Sequence, residues 1–234
     1  MAAFDADAKI PRALDALGPL AGRDVVLVDA GRGFRARQVA GLGARVIALA
    51  DEAAVDGLAR ALADLGDRAA VRVGAAGATG LPDASTDLVV AMWSAFRPPA
   101  DAEVAEADRI LRPGGRLLVV HDYGRDDHVR AEPAIADETV AWSRRDGWYL
   151  THGFRVRVIH AFWEFADVDE ARELLGVAFG AAGRAVADGL SRPRFSHNVA
   201  VYHRNRAGVG PSPVGRPERD PGRTKPPGGA GAAA

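Results

Sequence analysis

The sequence predicts an α/β fold with a mostly parallel sheet covered on both faces, and three observations predict it. A run of strand character, Val25 to Asp29, is followed at once by Gly31 and Gly33, and Val39 and Leu42 then stand at helical spacing. Apolar strands and amphipathic helices go on alternating as far as His121. The strands of this half are short apolar runs, as expected where helices cover both sides.

The elements follow in order. Ile10 to Leu20 reads as a short helix, bounded by Pro11 and by Gly18 and Pro19. Ala44 to Ala50 is the second strand, ending at Asp51, and completes a βαβ unit. Val55, Leu58, Leu62 and Leu65 make Glu52 to Leu65 a helix, and Ala69 to Val73 is the third strand. Asp87 to Trp93 is the fourth strand. A helix over Asp101 to Leu111 stops at Pro113-Gly114-Gly115, and Arg116 to His121 is the fifth strand.

The second half departs from strict alternation. Pro133 to Leu150 is predicted as one helix with Ile135, Thr139 and Trp142 on one face, and Arg155 to Phe165 as a long strand. Asp167 to Leu190 is amphipathic, with a break expected near Gly180 or Gly183, and Phe195 to His203 is the last strand. Beyond Arg204, proline, glycine and arginine dominate without apolar periodicity, so 205–234 is expected to be a disordered tail. The expected organisation is a helical segment over 1–21, one domain over 22–204, and that tail.

Composition narrows the chemistry. The 234 residues are 48% apolar and 26% charged with a net charge of -1, which fits a soluble globular protein and not a generally basic nucleic-acid binder. Cysteine is absent, which excludes disulfides, thiolate metal sites and a cysteine nucleophile. No signal-peptide core and no apolar run of membrane-spanning length occurs, so a cytoplasmic protein without a membrane partner is expected.

A strand, a glycine turn and a helix N-terminus in succession direct backbone N–H groups at one spot and favour an anionic group. Val26 to Gly33, with an acid two places before the first glycine, carries this pattern. With Asp51 closing the second strand, Leu81-Pro82-Asp83 leading into the fourth, and Leu111 to Leu118 (Leu-Arg-Pro-Gly-Gly-Arg-Leu-Leu) entering the fifth, the chain resembles the class I S-adenosylmethionine-dependent methyltransferases. The resemblance spans about residues 22–204. It implies the Rossmann-like methyltransferase fold, a seven-stranded sheet whose last strand runs antiparallel.

It also implies S-adenosylmethionine as cofactor. The backbone at Gly31 and Gly33 would hold its carboxylate, Asp29 would attract its amino group or order the glycine turn, and Asp51 would hold its ribose hydroxyls. Ala75 and Ala76 after the third strand, through their backbone, and Trp93 at the end of the fourth would complete the site. Arg35 replaces a third glycine of the family pattern, and Gly74 to Gly77 lacks the acid often found there. The implied acceptor is a small molecule with an oxygen or nitrogen nucleophile.

His121, at the carboxyl end of the fifth strand, is the candidate catalytic base. His121, Asp122, Asp126, Asp127 and His128 are polar enough to form a metal site, but a polar loop explains them without one, and no metal is expected. The helix Asp167 to Leu190 offers a lid, a homodimer contact, or packing on the sheet.

Two alternatives stand beside this reading. One is a non-catalytic relative that works by binding or assembly, favoured by the arginines in the glycine turn. The other is a nicotinamide-dependent oxidoreductase, since Gly31 to Ala36 also fits G-x-G-x-x-A. Against the latter, neither Lys9 nor Lys225 has a tyrosine four residues before it.

Overall fold

The computed structural model describes residues 5–124 and 126–206. Strand β1 (Asp24–Val28) pairs in parallel with β2 (Arg45–Ala50) on one side and β4 (Thr86–Met92) on the other. Beyond β2 lies β3 (Ala69–Val73), and beyond β4 lies β5 (Leu111–Asp122). β7 (Arg194–Asn205) runs antiparallel between β5 and β6 (Arg155–Glu164), completing a seven-stranded sheet of order β3-β2-β1-β4-β5-β7-β6. The chain leaves β1 toward one edge and returns to β4 on its other side. The carboxyl ends of β1 and β4 therefore open a crevice where ligands gather in such sheets.

Strand alternation divides the core into two layers. Val25 and Leu27 face α1 (Lys9–Leu17), α2 (Phe34–Gly41) and α3 (Val55–Leu62), through Leu14, Val39 and Leu58. Val26 and Val28 face α4 (Asp101–Ile110), α6 (Ala136–Ser143) and α7 (Trp148–Thr151), through Ile110, Trp142 and Tyr149. Each fully buried side chain of this size contributes about 1.5–3 kcal/mol. A third cluster joins α5 (Asp127–Ala131) and α8 (Val168–Asp188) to the far ends of β6 and β7 through Ala131, Leu175, Trp163 and Phe195.

Three elements differ from expectation. β5 begins at Leu111, because Arg112 to Gly115 form a bulge within the strand: Thr86 faces Leu111 and Leu88 faces Arg116. The helix expected over Pro133 to Leu150 is divided into a 3-10 turn, α6 and α7. A Cβ on Gly147 would come within 2.6 Å of the Ala141 carbonyl oxygen, so the chain passes too close to itself for a continuous helix. α5 was not expected at all; Asp126 caps it, accepting from the Val129 N–H at 3.0 Å. The expected tail beyond residue 206 lies outside the described residues. Among the described residues no helix is long and apolar enough to cross a membrane.

Candidate functional site

The loop after β1 has backbone that L-residues rarely adopt: φ is 48° at Asp29, 56° at Gly31 and 87° at Gly33. The two glycines serve different ends. A Cβ on Gly33 would stand 2.9 Å from Leu62 Cδ2, so this residue lets the turn press onto α3, and its N–H donates to the Ala30 carbonyl at 3.0 Å. The Gly33 amide, expected to face a ligand, is engaged within the turn. Gly31 has no atom within 4 Å of a Cβ position and faces open space.

Carboxylates gather around this turn. Burial raises the pKa of Asp29, assisted by the charge of Asp51 and opposed by the Ser94 hydroxyl. Glu103, which accepts from the Phe96 N–H, is raised by burial and by Asp29. Ser94 Oγ is buried beside the Asp29 carboxylate, whose charged form its hydroxyl favours. Such a set suits a cationic, hydrogen-bonding ligand. Exposed Asp51 accepts from the Ala54 N–H through Oδ1 at 2.7 Å, which caps the turn into α3 and uses one oxygen of its carboxylate.

After β3 the chain turns tightly, with Ala75 and Ala78 exchanging N–H···O bonds of 3.1 and 3.0 Å, so the Ala75 amide is also consumed. Ala76 is buried within this turn. Trp93, at φ 57°, follows β4 and donates its Nε1–H to Asp122 Oδ1 at 2.7 Å.

Trp93 is also one wall of a cavity of about 560 Å³. Its apolar lining includes Met92, Trp163 and Phe179, and its polar lining includes Arg35, Arg97, Asp122, His128, Glu132 and His197. Arg32 is exposed, whereas the Arg35 guanidinium folds over the Trp93 ring at 4.6 Å and reaches Gln38 at 3.3 Å. Burial lowers the Arg35 pKa, with Asp5 opposing.

His121 is elsewhere. Successive residues of a strand face opposite sides, so Asp122 looks into the cavity while His121 lies in the other layer, its ring 5.0 Å from Trp142 and 6.3 Å from Tyr149. Burial, reinforced by the charge of Arg97, pushes its pKa down to about 4, and its Nε2 is buried without a partner. The strand-end position that made His121 the candidate base puts it on the wrong face of the sheet. Its chain neighbour Asp122 is the residue that reaches the site.

The expected polar cluster after β5 also resolves differently. Asp127 accepts from the Ser196 N–H and Oγ at 2.8 and 2.7 Å, and Asp126 from the Asn198 N–H, so both hold α5 against β7. In their place Asp122, His128 and His197 converge, with one donor atom of each within 4.8 Å of the others. His197 Nδ1 accepts from Trp163 Nε1–H at 3.1 Å, which puts the imidazole proton on Nε2, facing Asp122 Oδ1 at 2.7 Å. Both ring nitrogens of His197 are thus engaged within this cluster. Hydrogen bonds from His197 and Trp93 and the nearby imidazoles outweigh burial at Asp122 and hold its pKa below the usual value. Sequence reasoning missed His197, because only the antiparallel pairing of β7 beside β5 brings it next to Asp122.

With this geometry established, the comparisons are informative. A family profile described as a methyltransferase domain matches residues 27–119. No curated protein sequence matches significantly. A candidate methyltransferase from Bacillus halodurans C-125 superposes with a TM-score of 0.56 at 18% identity, covering 85% of this chain and 99% of that one. Geranyl diphosphate methyltransferase in complex with its diphosphate and sinefungin gives 0.56 at 17%, over 86% and 78% of the two chains. The [4+2]-cyclase SpnF gives 0.52 at 16%, over 86% and 82%. Residues 27–119 thus match a methyltransferase-domain profile, and the chain shares the Rossmann-like fold of these methyltransferase structures.

Proposed function

We propose that this chain binds S-adenosylmethionine at the carboxyl ends of β1, β2 and β4 and transfers its methyl group to an oxygen or nitrogen nucleophile of a small molecule held in the adjacent cavity. The observation that carries this reading is the juxtaposition of a carboxylate-bearing glycine turn with a cavity of about 560 Å³ lined by Trp93, whose chain neighbour Ser94 lies beside Asp29. Asp29 and the Ser94 hydroxyl beside it suit an ammonium group, the open face of Gly31 leaves room beside the turn, and the second oxygen of Asp51 suits ribose hydroxyls. The backbone of Ala76 and the ring of Trp93 would flank the remainder. Bound there, the cofactor supplies an electrophilic methyl carbon; the protein's part is to hold the acceptor in line and exclude water.

A second reading is favoured by Arg35. Its guanidinium stands in the cavity, where it repels a sulfonium, and this suits a protein that binds a neutral or anionic ligand without methyl transfer. Calorimetric titration of ligand-free protein with S-adenosylmethionine and S-adenosylhomocysteine separates the two. Micromolar binding that Asp51→Ala weakens by about 1–3 kcal/mol supports the enzyme. Folded protein that binds neither ligand supports the second reading.

A further inference from the structure

We propose that His128 is the general base of the cavity and that the acceptor is a flat apolar molecule carrying a hydroxyl group, an inference that rests on the methyl-transfer reading above. Two independent features converge on this residue: the way its helix is held and the state of its ring.

α5 is only one and a half turns long, yet it is clamped to β7. Asp126 caps it and takes the Asn198 N–H, while Asp127 takes both the N–H and hydroxyl of Ser196. The His128 ring is stacked on His197 with centroids 4.2 Å apart and meets Phe179 edge-on at 5.4 Å. It lines the cavity, with 7% of its surface exposed. Its Nε2 lies 3.7 Å from Glu132 Oε2, one helical turn on, which favours the proton on Nε2 and leaves the lone pair on Nδ1. That Nδ1 is buried and has no hydrogen-bond partner.

The two neighbours of His128 in this wall are committed. His197 uses both nitrogens, and Asp122 already accepts from His197 and Trp93. Burial and the adjacent His197 lower the pKa of His128 against the raising effects of Asp122, Asp126 and Glu132, so the ring is neutral at pH 7 and able to take a proton. A carboxylate acceptor would need no base; a hydroxyl does. Trp93, Trp163 and Phe179 supply flat apolar walls for the body that carries it. As the acceptor oxygen bonds to the methyl carbon, the carbon–sulfur bond breaks with its electron pair kept by sulfur. The hydroxyl proton passes to Nδ1, and the resulting imidazolium faces the carboxylates of Glu132 and Asp122.

The test is binding of 2-naphthol and of naphthalene to protein saturated with S-adenosylhomocysteine, followed by fluorescence. His128→Phe keeps a ring and removes the nitrogen; it should weaken 2-naphthol roughly tenfold and leave naphthalene within about twofold, with His128→Asn recovering part of the loss. Equal effects on the two probes, or no binding of 2-naphthol to the unaltered protein, overturn the proposal. Should His128→Phe fail to fold, the ring nitrogens of the unaltered protein decide. An Nδ1 resonance that is unprotonated at pH 7 and shifts on adding 2-naphthol supports the base, and one that does not shift overturns it. Lack of S-adenosylhomocysteine binding in the calorimeter fells the methyl-transfer reading, and this inference with it. Cofactor binding without probe discrimination fells this inference alone.

Discussion

Arg172 Nε and Asp188 Oδ1 meet at 3.3 Å although they belong to opposite ends of one helical segment. In a straight helix their Cα atoms would be about 24 Å apart at 1.5 Å per residue. The chain instead reverses at Gly180 (φ 63°, ψ -136°), and a Cβ on Gly183 would lie 2.1 Å from the Leu175 carbonyl oxygen. α8 is therefore a helical hairpin, and the residue before its turn, Phe179, closes the cavity.

Gly180→Ala should therefore destabilise the protein. The backbone there is open essentially to glycine alone, and forcing a side chain into it costs about 1–3 kcal/mol. Thermal unfolding should show a melting temperature lower by roughly 2–10 °C. An unchanged melting temperature would show that the hairpin turn tolerates other backbone geometry.

The two glycines of the β1 turn should separate stability from binding. Gly33→Ala adds a Cβ against Leu62 and Leu58 at positive φ and should lower stability by about 1–3 kcal/mol. Gly31→Ala meets no neighbouring atom, so it should lower stability less while weakening S-adenosylhomocysteine binding more. Denaturant titration and calorimetry on both variants check this, and the reverse ranking would refute the division of roles.

Arg35 should discriminate between charged and neutral cofactor forms. Removing a unit charge about 8–10 Å from a sulfonium at an effective dielectric of 20–40 favours the cation by about 1–2 kcal/mol. Arg35→Gln should accordingly shift the affinity ratio toward S-adenosylmethionine over S-adenosylhomocysteine by roughly 5- to 30-fold. A constant ratio would place the guanidinium's field away from the bound ligand.

His121 should govern acid stability, not activity. Its folded pKa of about 4 lies below the ordinary value of 6.5, so the folded state disfavours the proton. The neutral ring's contribution is complete above pH 6.5 and is lost as pH falls toward 4, by up to about 3 kcal/mol. Denaturant unfolding between pH 7 and 4 should show this slope in the natural protein and a shallower one in His121→Phe. Cofactor affinity should be unchanged in that variant, since the ring lies on the far face of the sheet.

Much of the fold was legible before any coordinates. The seven strands were found because short apolar runs bounded by Gly, Asp and Pro are local signals, and β3 matched Ala69–Val73 residue for residue. The break in α8 was expected near Gly180 or Gly183 and lies at Gly180, but its reversal was not expected, since apolar periodicity is the same in a straight helix and in a hairpin. Gly147 likewise divided a predicted helix through a close approach of the chain to itself, which no local pattern records.

The sequence by itself determined the class of the fold, the glycine turn after β1 and the acids at the ends of β1 and β2, because each follows from the order and spacing of neighbours along the chain. Only the tertiary structure decided which face each strand-end residue serves and which distant residues meet. It turned His121 into a core residue, brought His197 to Asp122, and held His128 in the cavity wall. The physical reason is that a strand alternates its faces every residue, and the antiparallel register of β7 against β5 is set by packing across the whole sheet.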